Sequence, residues 1–326
     1  MRQARVRSLA KINLALRVLG KRADGYHELR TVFQTVSLAD TIDIVFTPGR
    51  RTSMAISGNV DIPGNLILKA AEAVLEAMKR TGQVEFKLTK RIPMGGGLGG
   101  GSSNAAAVLL ALPVLAGGKL PLDARLSIAE RLGSDVSFFL LGGAAVGIGR
   151  GTELFPLPDP PARPGVIVAP GIHVSTPEAY RALGRGSLTT DVNTSDTYGF
   201  RSFAWGFAMP GRESGDSGAN DFETVVFRQF PLLQSIQGKL RKLGARPARM
   251  SGSGSALFGL FESPEDASRA RERLESMLPD VQVFGIRTVT RSSYRRQWRD
   301  WLAEHLLDVE ESRDSGEWPP PSRYAR

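Results

Sequence analysis

The stretch PMGGGLGGGSSNAA, residues 93–106, decides how the rest of this 326-residue chain is read. Six glycines between Gly95 and Gly101 leave backbone amides unshielded by side chains. The run AAAVLLAL that follows is a strong helix former, so a helix opens near Ser102 and adds unpaired amides and the positive end of its dipole. Glycine loop and helix start together make a cradle for an anion, and phosphate is the anion such cradles hold. A flexible linker does not open directly onto a strong helix. Gly95, Gly97 and Gly100 satisfy G-x-G-x-x-G, but that match is cheap in a glycine run, and no clean βαβ unit surrounds it. Gly96 to Gly101 has the spacing of a Walker loop, yet Ser102 stands where that loop needs its lysine.

Upstream of the loop, Ile12, Leu14, Leu16 and Val18 alternate with Lys11, Asn13 and Arg17, the period of a half-buried strand, so Lys11 and Asn13 share one face. Residues 31–46 read as one or two further strands, 48–64 as turns, 65–81 as a helix and 83–88 as a strand. Downstream, 134–141 reads as a short helix and 144–157 as strands, ending in the proline-rich PLPDPPARP at 156–164, which marks a domain junction. Beyond it come a strand at 166–169, a helix at 176–183 and a Gly/Ser/Thr-rich stretch at 184–218 that reads as a loop or lid. Helices at 219–230, 232–243 and 264–277 and strands at 246–250, 255–261 and 281–289 complete an α+β pattern. The expected domains are 1–157 and 158–290, with an additional tail at 291–326.

Composition narrows the class. Lys and Arg number 42 against 33 Asp and Glu, a net charge of +9, and no cysteine is present, which excludes disulfides, zinc-thiolate sites and thiol nucleophiles. Apolar residues at 41% and charged residues at 23% are those of a folding globular chain. The basic excess is local: Arg2, Arg5, Arg7, Lys11, Arg17, Lys21, Arg22 and Arg30 face only Asp24 and Glu28 within the first 30 residues. Lys239, Arg241, Lys242, Arg246 and Arg249 form a second group, read as a solvated helix face that also raises the local potential for anions. No apolar run is long enough to span a membrane, and Lys11 and Arg17 interrupt the opening segment, so a secretory signal is not expected and the cytoplasm is.

Three blocks in order resemble the GHMP small-molecule kinases: SLAKINLALRVLGKRADGYHEL at 8–29, the glycine–serine loop at 93–106, and SGSGSALFGLF at 251–261. The likeness covers about residues 6–290. It implies a two-domain α+β fold, with an N-terminal ribosomal-S5-like α/β domain and a C-terminal ferredoxin-like α+β domain. It also implies ATP-dependent phosphorylation of an alcohol, with magnesium carried by ATP and no metal held by the protein alone. AKINL and RADGYHEL resemble the branch that phosphorylates the 2-hydroxyl of 4-diphosphocytidyl-2-C-methyl-D-erythritol in the non-mevalonate isoprenoid pathway.

Phosphoryl transfer needs positive charge at the phosphates, an oriented hydroxyl and a proton acceptor. By resemblance, Lys11 stabilises the developing alkoxide and Asp135, in LGSDVSFF, takes the proton. On spacing alone, Lys11 is equally a surface lysine and Asp135 a helix cap. Ser134 and Ser137 replace the alanine and proline typical of the related segment. Met94, Gly95, Gly96, Gly97, Leu98, Gly99, Gly100 and Gly101 are expected at the phosphates of ATP. Of Ser102, Ser103 and Asn104, one is expected to cap the helix and the others to meet phosphate or magnesium; Asn65 is either an adenine contact or a helix cap. The cytidine end is expected at Tyr26, His27 and Tyr180, with Asn13 reaching the substrate from the face it shares with Lys11 and Phe33 read as core.

Residues 291–326 lie beyond the resemblance. Trp298, Trp301, Leu302, Leu306 and Val309 form an amphipathic stripe that needs a surface to cover, either the body or a partner chain, although Arg295, Arg296 and Arg299 at its start oppose the dipole, as do Asp308, Glu310 and Glu311 at its end. Trp318 and the prolines after it read as a disordered end. The alternatives are another GHMP kinase, acting on homoserine, mevalonate or a sugar, and a catalytically silent nucleotide or metabolite sensor. Nucleic-acid binding is disfavoured by 7% aromatic content and the absence of a known motif, and a homodimer is compatible with the sequence.

Overall fold

A computed structural model of the chain describes residues 1–187, 200–206, 219–307, 318–319 and 321–324. Two sheets form its frame. The first is built on two long antiparallel strands, β1 (Arg2–Lys21) and β2 (His27–Pro48), paired along most of their length. The free edge of β2 carries β4 (Gly82–Thr89) at one end and β5 (Ala144–Gly149) at the other, with β3 (Ser53–Gly58) parallel to β4 and β6 (Glu153–Pro156) beside β5. The second sheet runs in the order β10 (Gln282–Arg287), β7 (Pro164–Ala169), β9 (Leu257–Leu260), β8 (Ala248–Met250).

Helices α1 (Leu66–Ala77), α2 (Gly100–Ala116), α3 (Leu122–Leu132) and α4 (Val136–Leu141) cover one face of the first sheet. Its other face meets the second sheet, because alternation sends neighbouring side chains to opposite sides. Val32 joins Ile12, Leu14, Ile167 and Phe258 between the sheets, whereas Phe33 joins the helix side. α2 is apolar on all sides and is buried accordingly, from Ser103 to Ala116. Helices α5 (Thr176–Leu183), α6 (200–206), α7 (Glu223–Gln229), α8 (Pro231–Lys242) and α9 (Pro264–Met277) follow, and α7, α8 and α9 close the outer face of the second sheet.

The structure departs from the sequence reading in several places. Residues 31–46 belong to one strand, and the turn-rich 48–64 contains the edge strand β3, whose Met54 and Ile56 are its only large apolar residues. α3 was not expected, since only Ile128 and Ala129 among its apolar residues are buried. Within 184–218, residues 200–206 are helical, with Phe200 and Phe203 between the sheets, while the rest of the expected lid at 188–199 and 207–218 lies outside the described residues.

The described residues after 290 are part of the body. Helix α10 (Arg291–Leu302) places Tyr294, Trp298 and Leu302 in the core that α2 occupies. It ends at Leu302, so Asp308, Val309, Glu310 and Glu311 are not in it and lie outside the described residues. The expected disordered end is also corrected: Trp318 Nε1 donates to Leu140 O at 2.8 Å, and buried Ser322 donates to Val114 O at 2.6 Å.

Candidate active site

Lys11 is 4% exposed, and burial of an ammonium requires partners. Its Nζ donates to Asn13 Oδ1 at 2.7 Å and lies 3.3 Å from Asp135 Oδ2, with the Phe33 ring 5.6 Å away. The amide of Asn13 is oriented in turn: Nδ2 donates to Thr31 Oγ1 at 2.8 Å, and that hydroxyl donates to Ala15 O at 2.7 Å. Asp135 occupies the N-cap position of α4 but makes no capping hydrogen bond, and its side chain is 31% exposed. The carboxylate is therefore paired with Lys11 and open to a cavity at the same time.

The glycine loop is held between the two sheets. Lys11 N–H donates to Leu98 O at 3.0 Å, Ala256 N–H to Gly96 O at 3.2 Å and Ser251 Oγ to Gly97 O at 2.9 Å. The SGSGS turn thus packs on a loop that lies 154 residues before it in the chain. Gly97 and Gly99 have φ of +74° and +70°, and a Cβ at Gly97 would lie 2.1 Å from Ser251 O. Only glycine fits there. Gly99 is the N-cap of α2 and offers no side chain, so none of the three expected candidates caps the helix.

Nor do Ser103 and Asn104 turn their side chains outward. Ser103 Oγ donates to Leu9 O at 2.6 Å, and the amide of Asn104 is buried against Ser8 Oγ at 2.6 Å. Of the triplet, Ser102 alone lines the cavity, together with Gly97 and Gly99. Met94 is 63% exposed, Leu98 is core, and Gly95, Gly96, Gly100 and Gly101 shape the loop without lining the cavity. Asn65 spends its Oδ1 on Ile67 N–H at 3.0 Å, the cap reading, and does not line the cavity either.

The cavity has a volume of about 700 Å³, and among the described residues its wall carries four cations, Lys11, Lys21, Arg150 and Arg181, against one carboxylate, Asp135. Tyr26, His27 and Tyr180, the three residues expected at the cytidine end, all line it. The rings of His27 and Tyr180 stack at 4.3 Å and 18°, Tyr180 meets Phe222 edge-on at 4.8 Å, and the Arg150 guanidinium lies 3.5 Å over Tyr26. Burial, and then the charge of Lys21, hold His27 below the ordinary imidazole value. Burial, and then the charge of Asp135, push the Tyr180 hydroxyl up to about 12.

Sequence reasoning missed Thr31, Lys21, Arg150 and Arg181 in this wall. Arg150 had a signal, since it sits between Gly149 and Gly151, both at positive φ. It also missed what holds the loop from below: fully buried Asp40 accepts Lys90 Nζ at 2.5 Å and the amides of Arg91 and Ile92 at 2.7 Å each. The five bases at 239–249 take no part in the cavity. Lys239, Arg241 and Lys242 occupy the last turn of α8, where they complement its dipole.

Comparison with known proteins identifies the family. A model of the GHMP kinases N terminal domain matches residues 65–143, and one of the GHMP kinases C terminal domain matches 205–280. The chain is 55% identical over 326 residues to the 4-diphosphocytidyl-2-C-methyl-D-erythritol kinase of Solibacter usitatus, covering 99% of this chain and 98% of that protein. It is 43% identical to the enzyme of the same name from Thermus thermophilus, covering 82% and 91% of the two chains. Among solved structures, a 4-(cytidine 5'-diphospho)-2C-methyl-D-erythritol kinase aligns with a TM-score of 0.72 at 39% identity, covering 87% of this chain and 98% of that one. A homoserine kinase from Cytophaga hutchinsonii, with a TM-score of 0.68 and 19% identity over 88% of this chain and 95% of its own, shares the fold. The expected two-part GHMP architecture is thus the one observed, and the chain belongs to the 4-diphosphocytidyl-2-C-methyl-D-erythritol kinase family of GHMP kinases.

Proposed function

We propose that this chain transfers the γ-phosphoryl group of ATP to the 2-hydroxyl of 4-diphosphocytidyl-2-C-methyl-D-erythritol. The observation that carries the chemistry is the Lys11–Asp135 pair, 3.3 Å apart, at the mouth of a glycine cradle in a cavity whose charged lining residues are mostly cationic. Asp135 accepts the proton of the attacking hydroxyl, and Lys11 stabilises the alkoxide that develops. Amides of the glycine loop and of the first turn of α2 face the phosphates, which no side chain at Gly97 or Gly99 obstructs. Asn13 holds the Lys11 ammonium in place and is itself oriented by Thr31.

The cytidine end fits the aromatic side of the cavity. Neutral His27 offers one donor and one acceptor nitrogen, and Tyr26 and Tyr180 offer flat faces for a base. Lys21 and Arg181 supply charge for the diphosphate. Magnesium would arrive on ATP, held mostly by phosphate oxygens. Ser102, which lines the cavity, would touch the ion, and the ion would neutralise charge on the phosphate oxygens. One chain supplies every group named, so the chemistry needs no second copy, and the cytoplasm is the compartment this reading assigns.

The test is ADP release with magnesium-ATP and the cytidine substrate, set beside mevalonate, homoserine and galactose. Turnover with the cytidine compound alone is expected, with kcat reduced about 10³-fold in Asp135→Asn and about 10²-fold or more in Lys11→Ala. Preference for another alcohol would keep the mechanism and discard the roles of Tyr26, His27 and Tyr180. ATP binding without turnover of any alcohol would leave a sensor.

A further inference from the structure

A six-residue helix cannot satisfy its own C-terminal carbonyls, because the donors would have to come from a turn that does not exist. In α4, Phe138 O accepts Gly142 N–H at 2.9 Å. The next two carbonyls are satisfied from the far end of the chain: Tyr294 Oη donates to Phe139 O at 2.5 Å, and Trp318 Nε1 to Leu140 O at 2.8 Å. α4 has no substitute of its own, since its one polar side chain, Ser137, is buried with its hydroxyl unpartnered.

These donors are built in. Tyr294 is buried, its ring fills the space beside Gly142 where a Cβ would lie 2.2 Å away, and the rings of Tyr294 and Trp318 lie 6.5 Å apart. The helix that carries Tyr294 is fixed at its start by Asp159, which accepts the amides of Arg291 and Ser292 at 2.6 and 3.0 Å. Four residues after Trp318, Ser322 Oγ donates to Val114 O at 2.6 Å, and the Arg295 guanidinium lies 5.2 Å from the Trp318 ring.

We propose that Tyr294 and Trp318 are positioning residues for phosphoryl transfer: by capping α4 at its C-terminal end they hold Asp135, at its N-terminal boundary, opposite Lys11. This rests on the role of Asp135 proposed above. The helix is only about 9 Å long, so a tilt at its C-terminal end is felt at the carboxylate. A misplacement of about 1 Å there is enough to cost on the order of 10²-fold in rate.

The test uses the full chain with Tyr294→Phe and Trp318→Phe, singly and together, which remove the donors and keep aromatic rings. Four quantities are read: kcat, KM for both substrates, amide hydrogen exchange of residues 134–142, and the same kcat effects in an Asp135→Asn background. In the double variant kcat is expected to fall about tenfold with both KM values within about twofold, exchange at 134–142 to quicken, and kcat to fall no further once Asp135 is Asn. Faster exchange with unchanged kcat overturns the proposal, as does a loss carried by KM or a loss that multiplies with that of Asp135→Asn. An inactive wild type, or an Asp135→Asn variant with full kcat, defeats the functional reading and this one with it, whereas an active wild type that needs Asp135 and ignores the double substitution defeats this one alone.

Discussion

Lys11 and Asp135 illustrate how residues 124 positions apart in sequence become partners through the fold, 3.3 Å from each other. Period-two alternation placed Lys11 and Asn13 on one face, and the structure keeps them there, joined at 2.7 Å. Asp135 was ambiguous, because a cap and a proton acceptor look alike before a helix, and only the absence of a capping bond and the approach of Lys11 separate the two. Ser103 and Asn104 were misjudged for the same reason: which side of α2 faces β1 is set by packing, not by the glycine–serine pattern. His27 carries a testable pH effect. Its folded value lies below the ordinary 6.5 through burial and then Lys21, so the unfolded chain binds the proton more readily. Whatever stability the site contributes is complete above that value and is lost as pH falls from it toward the lower folded value. The cationic ring would also repel Lys21 and lose its acceptor nitrogen. KM for the cytidine substrate is therefore expected to rise on acidification below 6.5 while KM for ATP stays flat. His27→Phe should abolish that dependence; a KM profile unchanged by the substitution would remove His27 from base recognition.

Elements were legible where a single period ran uninterrupted and were lost where burial was partial. β1, β4, α1 and α2 all declared themselves, whereas β3 lies at a sheet edge with two large apolar residues, and α3 buries Arg125 beside Ile128 and Ala129, which blurs its apolar face. The glycine loop was legible as a cradle, but its rigidity was not, since that comes from Asp40 below and from the 251–256 turn above. Its glycines are consequently unequal. At Gly97 the positive φ and the 2.1 Å approach of Ser251 O both oppose a methyl group, whereas at Gly101 the nearest atom to a Cβ is 3.8 Å away, within a helix. Gly97→Ala is expected to lower the melting temperature and raise KM for ATP at least about tenfold, because loop and turn must separate. Gly101→Ala is expected to melt no earlier than the parent, helped by about 0.5–1 kcal/mol of helix propensity. Equal melting of the two variants, read by calorimetry, would show that the loop is not clamped from above.

At the scale of the whole molecule, the apolar stripe after residue 290 announced that a surface was missing without saying which one. That surface is assembled from β1, α2 and α4, which come together only when the first sheet has folded, so no local signal could have named it. The charge conflict that seemed to weaken the helix eases because it stops at Leu302, leaving Arg299 in the last turn, where a cation is favourable. Among the described residues, the first core is thus closed by α10, a helix that begins nearly 290 residues after the start of β1. Trp298 measures that closure. It is 1% exposed among α2 and sheet residues, so Trp298→Ala removes a large side chain from a packed interior and is expected to cost about 3–5 kcal/mol. Trp205, 60% exposed, supplies the control: its replacement by Ala should change stability by less than about 0.5 kcal/mol. Urea unfolding of the two variants decides the matter. A Trp298→Ala loss no larger than that of Trp205→Ala would mean that the last helix merely rests on a core already complete without it, and a large loss would mean that the first core is finished only by the end of the chain.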